Sequence, residues 1–372
     1  MEKNVRLGDV CKLKQGFQVP LDKQTNSKMD GYVRFIRIVD YTQNTEDIRF
    51  VEDNSKFYYV EEDDVVMIRY GAAGEVGRGI NGVIANNMFL IEPQNNIDKN
   101  YLYWFLKWKK TKQTLLSHSS STTMPAINFK TVNDLNLRLY DISRQKNIVQ
   151  RLDEIQNIIN LRKQQLKQLD ELVKARFVEM FGEWECNPEP LKSFLVDITY
   201  GFTNPMPDAD EGPWKITAKD VINGKVNYDT ARKTTVHAFE ELTAKSKPAI
   251  GDVLLTKDGT LGRCAVVEED GICVNQSVAV LKCNEKILPK FLATLLQLPE
   301  YQREMLKNAG GGTIKHIYIT KVVNMLITVP TIVQQVEFLA FVEQVNKSKV
   351  AVQKALDEAQ TLFDSLMQEY FG

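Results

Sequence analysis

Phe177-Val178-Glu179-Met180-Phe181-Gly182 and Met367-Gln368-Glu369-Tyr370-Phe371-Gly372 close two long apolar-periodic stretches, Arg144 to Gly182 and Gln334 to Gly372. A shift of 190 residues lays one on the other without a gap, with Gln145 on Gln335 and Gly182 on Gly372. Two copies at so long a period do not make a solenoid. They describe two similar domains, each followed by a similar helix, and two similar readers on one chain imply a target with two similar halves.

In the first stretch Ile148, Leu152, Ile155, Ile159, Leu166, Leu169, Val173 and Met180 keep a 4,3 spacing, with Arg162 and Arg176 at the skipped positions. In the second, Phe338, Val342, Val345, Val352, Leu356, Ala359, Phe363, Leu366 and Tyr370 keep the same phase, interrupted once by Lys349. A seam sustained over about five heptads predicts coiled-coil packing. Residues 144–182 hold eight Lys/Arg against five Asp/Glu, and residues 334–372 hold three against six. The net charges of +3 and −3 favour pairing of the two helices with each other over self-pairing. At 1.5 Å per residue each reaches roughly 55–60 Å, the length of a spacer. The alternative is two unrelated amphipathic helices, each packed on its own domain.

The 372 residues suit two or three domains, and 43% hydrophobic with 26% charged residues is ordinary for a soluble globular protein. No run of apolar residues reaches the length of a membrane span, and the polar start Met1-Glu2-Lys3-Asn4 does not resemble a signal peptide. Cys11, Cys186, Cys264, Cys273 and Cys283 make an odd set without a C-x-x-C pair. That argues against a zinc site or a disulfide framework and for a reducing cytoplasm. A formal net charge of −1 leaves no global nucleic-acid footprint, so a DNA binder must concentrate its positive charge on one face.

Each globular half reads as mixed α+β built on short strands. In the first, Val33 to Ile38 alternates like a half-buried strand, and Asp63 to Arg69 reads as a strand entering a glycine-rich turn, Gly71 to Gly82. Val83-Ile84-Ala85 and Met88-Phe89-Leu90-Ile91 read as one strand interrupted by Asn86-Asn87, and Tyr101 to Lys110 looks helical. The second half retraces the order: Gly201-Phe202 after Gly16-Phe17, Gly251 to Leu255 after the strand at Asp64, Val274 to Val280 after the strand around Asn86, and Pro289 to Gln297 as the helix. The expected division is a reader at 1–141, a long helix at 142–185, a second reader at 186–331 and a second long helix at 332–372.

Catalytic signatures are missing. Gly77-Arg78-Gly79-Ile80-Asn81-Gly82 is a literal G-x-G-x-x-G, but a dinucleotide site needs a helix to begin there, and Val83-Ile84-Ala85 reads as strand. A hairpin turn is the better reading. There is no P-loop and no Asp/Asn-Pro-Pro-Tyr/Phe motif of amino-methyltransferases. The nearest strings, Asn187-Pro188-Glu189-Pro190 and Asn204-Pro205-Met206-Pro207, lack the second proline and the aromatic. His118, His237 and His316 sit in no metal spacing, and the recurring carboxylates Asp40/Asp220 and Asp64/Asp252 fit structural turns.

What recurs is polar and basic side chains beside turns. Arg69 and Tyr70 lie opposite Lys257 and Asp258, Arg78 and Arg263 flank the same turns, and Asn86-Asn87 lies opposite Asn275-Gln276. Thr122 and Thr123 lie opposite the loop holding Thr313, with Lys315 just beyond. Arg and Lys neutralise phosphates or grip guanine, Asn and Gln pair with adenine edges, and Ser/Thr serve either. These fourteen residues are the DNA-contact candidates, set against the plainer reading of solvated surface and turn capping.

Gly251-Asp252-Val253-Leu254-Leu255-Thr256-Lys257-Asp258-Gly259-Thr260-Leu261-Gly262 resembles the G-D-hydrophobic-L…G-x-x-G stretch of type I restriction–modification specificity subunits. Val274-Asn275-Gln276 resembles that family's following N-Q strand. Leu326-Ile327-Thr328-Val329-Pro330 through Gln334-Gln335 resembles its hydrophobic-proline junction into a long helix. The tandem plan covers essentially the whole chain. The first copy departs at two points: Tyr140 stands where the junction proline would be, and Asp64 lacks its preceding glycine.

The resemblance implies two target recognition domains, each reading one half of a split double-stranded DNA sequence in the major groove. It implies helices paired as an antiparallel coiled coil that fixes the half-site spacing and docks two methyltransferase subunits. Restriction subunits would complete an ATP-dependent nuclease. S-adenosylmethionine, ATP and Mg²⁺ would then belong to partner subunits, with adenine-N6 methylation and base flipping done there and no cofactor on this chain. The rival readings are a stand-alone DNA methyltransferase or nuclease, and a protein-only coiled-coil adaptor.

Overall fold

A computed structural model describes residues 3–43, 45–117, 126–182, 188–307, 310 and 316–372. Two compact units emerge from it. The first combines residues 1–164 with 352–372, and the second is residues 165–351.

The first unit is built on a four-stranded antiparallel sheet in the order Cys11–Gln15, Met88–Pro93, Val65–Ile68, Val76–Gly77. A three-stranded sheet sets Tyr32–Ile36 between antiparallel Arg49–Glu52 and parallel Val83–Ile84. Lys3–Arg6 pairs with Asn136–Leu139. The second unit repeats this plan. Its four-stranded sheet runs Leu195–Tyr200, Val278–Cys283, Val253–Thr256, Cys264–Val266. Its three-stranded sheet sets Ala209–Ile216 between antiparallel Arg232–Lys233 and parallel Ile272–Val274. Glu189–Pro190 pairs with Leu326–Ile327.

The duplicated glycines have a steric cause. At Gly16 an added Cβ would lie 2.3 Å or less from the carbonyl oxygens of Ile84 and Ala85, and at Gly201 it would lie 1.7 Å from that of Val274. Only glycine lets the chain pass so close to the parallel edge, where the Phe17 N–H donates to Ile84 O and the Phe202 N–H to Val274 O. The recurring carboxylates are structural too. Asp64 accepts from the Glu61 N–H and Asp252 from the Ala249 N–H, each at 2.9 Å. Asp40 and Asp220 cap matching turns through the N–H of Arg37 and of Thr217.

Three readings of local structure are corrected. Val83–Ile84 and Met88–Pro93 are strands of different sheets, and Asn86-Asn87 is the turn that carries the chain from one to the other. Gly77 to Gly82 is likewise a connection rather than a hairpin, because Val76–Gly77 pairs with Val65–Ile68 whereas Val83–Ile84 pairs with Tyr32–Ile36. In both cases a switch of sheet, which local pattern cannot see, separates the flanking strands. The helix read over Tyr101 to Lys110 divides at Trp108 into Lys99–Lys107 and Lys109–Ser117. Asp98 caps its start by accepting from the N–H groups of Asn100 and Tyr101.

The long helices are Ile142–Phe181 and Ile332–Phe371, 40 residues each. In the first unit Ile148, Leu152, Ile155 and Ile159 join Leu356, Phe363, Leu366, Met367 and Tyr370 in one apolar cluster. In the second, Leu169, Val173, Phe177 and Phe181 join Phe338, Val342 and Val345. The start of one helix thus meets the end of the other in the first unit, and the order reverses in the second: the pair is antiparallel. The seam is also domain core, as Trp104 packs edge-on against Phe363 and Phe291 against Phe338. Pairing and packing on the domain coexist. Leu166 and Val352 are half-buried, as suits positions far from either aromatic cluster. Lys349 reaches across to Asp170 at 2.5 Å, so the interruption of the seam is spanned by an ion pair.

Candidate nucleic-acid interface

Three segments converge in each unit, and their hydrogen bonds fix which residues correspond. The Arg69 N–H donates to Asn87 O (2.8 Å), and the Lys257 N–H to Ser277 O (2.8 Å). The Ile127 N–H then donates to Arg69 O and the Ile317 N–H to Lys257 O. The Ala85 N–H donates to Ile36 O and the Asn275 N–H to Ile216 O. Strand end, inter-sheet turn and the segment after the Ser/Thr-rich loop therefore form one repeated junction.

This geometry moves two sequence pairings. Asn86-Asn87 corresponds to Gln276-Ser277, and Asn275 corresponds to Ala85, one residue off the expected register. Asn275 is spent locally: its Oδ1 accepts from the Ser277 N–H and hydroxyl. Arg78 and Arg263 are not equivalent either. The Ile68 N–H donates to Glu75 O as the Thr256 N–H does to Arg263 O, so Arg263 matches Glu75 and precedes its strand, whereas Arg78 follows its own. Arg78 lies 3.8 Å over the Tyr103 ring and bonds Asn100 at 2.5 Å; Arg263 donates to Val221 O at 3.3 Å. Both guanidiniums are held by their own fold.

Arg69 and Tyr70 are half-buried at the strand end, and the Arg69 guanidinium makes no ion pair among the described residues. Lys257 differs: only 7% exposed, it sits 2.9 Å from Asp258 and faces the Tyr200 ring. The Asp258 carboxylate also bonds His316, which packs edge-on against Tyr318. Burial pushes the Asp258 carboxyl up, but hydrogen bonds from His316 and Lys257 outweigh it and hold it below the usual carboxylate value. The Lys257–Asp258–His316 cluster is invisible in a scan for spacing, because a strand end and a later loop supply it. Asn86 donates to Gln18 Oε1 at 3.3 Å. Thr122, Thr123, Thr313 and Lys315 lie outside the described residues, as does His118.

Sequence reading missed the charge on the three-stranded sheets. Arg37 and Arg49 converge on Asp47 at 3.0 Å in the first unit, and Lys215 and Arg232 converge on Asp208 at 2.5 and 2.9 Å in the second. The facing cations lower both carboxyls. Arg49 lies opposite Phe35 and Arg232 opposite Lys215, the same register position in both sheets. A plot of local charge averages each cluster away, since every pair of cations holds an anion.

Among the described residues no three His, Cys, Asp or Glu gather as a metal site, and no helix is long and apolar enough to cross a membrane. Cys11, Cys264 and Cys273 are buried free thiols.

Fold and site together define a duplicated recognition scaffold: two like α+β units, each presenting polar side chains from turns, on a pair of antiparallel helices. The chain belongs to the type I restriction modification DNA specificity domain family, whose model matches residues 2–171 and again 195–359. It is 24% identical over 360 residues to the type I restriction enzyme MjaVIII specificity subunit of Methanocaldococcus jannaschii, covering 89% of this chain and 83% of that protein. It shares its fold with a chain solved in work on complex assembly and conformational transition of the type I R-M system. The TM-score there is 0.58 at 16% identity, over 100% of this chain and 97% of the other. The type I S subunit from M. genitalium gives 0.54 at 13% identity, over 100% and 96%.

Proposed function

We propose that this chain is the DNA-recognition subunit of a type I restriction–modification complex, each unit reading one half of a bipartite target. The observation that carries this is the repeated junction of strand end, inter-sheet turn and the segments at Ile127 and Ile317, with the same backbone hydrogen bonds and different side chains. The shared backbone positions the reader, while Asn86-Asn87 in one unit and Gln276-Ser277 in the other supply two different chemistries.

The division of labour follows. Residues 1–141 and 186–331 serve as readers, and residues 142–185 and 332–372 set the half-site spacing and offer the docking face for two methyltransferase subunits. A 40-residue helix is about 60 Å long, ample for half-sites centred roughly 34–36 Å apart. The chain itself is non-catalytic. S-adenosylmethionine, ATP and Mg²⁺ act on methyltransferase and restriction partners, in the cytoplasm.

The test is exchange and extension. Replacing residues 190–330 with another member's domain is expected to change one half-site only. Adding whole heptads to both long helices is expected to lengthen the tolerated spacer and leave both half-sites intact. Modification or cleavage of DNA by the pure chain alone would refute the scaffold reading, and protection of one continuous site by the complex would refute two readers.

A further inference from the structure

A concavity opens at the same place on the three-stranded sheet of each unit. Ile36 corresponds to Ile216 through the bonds that Ala85 and Asn275 donate to them, so Phe35, Arg37 and Val39 correspond to Lys215, Thr217 and Lys219. Phe35, Arg37 and Val39 line a cavity of about 620 Å³ in the first unit, and Lys215, Thr217 and Lys219 one of about 120 Å³ in the second. The location is repeated; the chemistry is not.

The first concavity has an apolar wall of Phe17, Phe35 and Val39, with the amides of Gln18, Gln43 and Asn86 around it. Its one cation among the described residues, Arg37, is spent on Asp40 at 3.3 Å and Asp47 at 3.0 Å. Two further lining residues, Gln24 and Asn87, keep a buried side-chain oxygen without a hydrogen-bond partner among the described residues. Such groups are uncommon and call for an explanation. The second concavity is lined by Lys215, Lys219 and Arg232 with Thr217 and Asp220. Asp220 is fully buried, its carboxylate taken by the Thr217 N–H and hydroxyl and by the Thr230 hydroxyl. Among the described residues Asp208 is then the carboxylate paired with Lys215 and Arg232, while Lys219 and Arg232 reach solvent.

We propose that this repeated concavity is where the two readers part in specificity, the first taking an A·T pair and the second the guanine of a G·C pair. This rests on the reading of the chain as a two-domain DNA reader. Amides bond the N6 and N7 edge of adenine in the major groove, and an apolar wall accepts the thymine methyl. Arginine and lysine donate to guanine O6 and N7, two acceptors, whereas the N6 amino group of adenine would set a donor against those donors. Gln18, Gln43 and Asn86 are thus the discriminating residues of the first unit, and Lys219 and Arg232 those of the second.

The experiment uses the full chain in complex with a methyltransferase subunit, its methylated motif read by genome-wide methylation sequencing. Arg232→Ala is expected to relax a single guanine position in one half-site, lowering discrimination about ten- to a hundredfold. Gln18→Ala combined with Gln43→Ala is expected to relax an A·T position in the other half-site alone. Arg232→Lys, which keeps the donor charge, is expected to retain part of the guanine preference and decides the matter if the alanine variant fails to fold. Uniformly weaker methylation with an unchanged motif in Arg232→Ala, or loss of preference at an A·T pair there, overturns the proposal. A native motif that is not bipartite overturns the functional reading itself and is seen before any variant is made.

Discussion

Gln145 and Gln335, 190 residues apart, make the same three hydrogen bonds in their respective units. Gln145 Oε1 accepts from the Asp98 N–H at 2.8 Å, and its Nε2 donates to Asn96 O at 2.9 Å and Tyr140 O at 2.8 Å. Gln335 Oε1 accepts from the Leu288 N–H at 2.8 Å, and its Nε2 donates to Lys286 O at 2.9 Å and Pro330 O at 2.8 Å. Each amide is fully buried and ties the cap residue of a short helix to the first turn of a long one. Tyr140 in place of proline is explained here, because the junction uses a carbonyl, which either residue supplies.

Replacing Gln145 or Gln335 with alanine leaves a backbone N–H and two carbonyls of the part-buried junction without their partner. Each unsatisfied group costs about 1–3 kcal/mol. Urea unfolding followed by hydrogen exchange is expected to show Gln145→Ala weakening the first unit and Gln335→Ala the second. Equal loss of protection in both units from either variant would contradict local anchoring.

The seam makes a contrasting case. Lys349 bonds Asp170 across the helices, but Asp170 is 70% exposed, so solvent screens the pair. Asp170→Asn is therefore expected to lower stability by at most about 1 kcal/mol. Val342→Ala, a cavity in the apolar cluster of the second unit, is expected to cost about 1–3 kcal/mol. Thermal melts of the two variants rank them directly.

Much of this architecture was legible because it repeats. The gapless alignment of Arg144 to Gly182 with Gln334 to Gly372 gave both long helices within a few residues. Periodicity sees neighbours along one element, so it joined Val83-Ile84 to Met88 across a change of sheet. Matching strings by type set Asn86-Asn87 against Asn275-Gln276, where backbone bonding shows a one-residue offset. The Asp258–His316 contact and the Arg49/Arg232 register are long-range pairings, which no local window contains.

The thiols give a third prediction. Burial pushes Cys11 and Cys264 up to about 12, Cys273 to about 11 and Cys283 to about 12, so the native protein holds negligible thiolate at these sites near neutrality. In a Cys186→Ser background, Ellman's reagent at pH 8 is expected to report almost no fast-reacting thiol in the folded chain and four after denaturation. A rapid native phase would show that one of these cysteines is accessible.

Acid stability follows from Asp258. Its folded carboxyl titrates below the unfolded value of 3.8, because the bonds from His316 and Lys257 outweigh burial. The folded state thus holds that proton more weakly than the unfolded chain. The resulting stabilisation is complete above the unfolded value and is lost as pH falls through the lower, folded one. Asp258→Asn removes the charge and leaves buried Lys257 without its anion. The gap in urea midpoint between native chain and variant is expected to hold steady from pH 7 to about 5, then to narrow below roughly pH 4. Because Lys257 is buried and paired, Lys257→Ala is expected to act on stability more than on DNA binding. Arg69→Ala, which removes a guanidinium that makes no ion pair among the described residues, is expected to lower the salt slope of binding by about one. If Lys257→Ala instead changed the salt slope and left the urea midpoint untouched, Lys257 would have to leave Asp258 and meet phosphate in the complex.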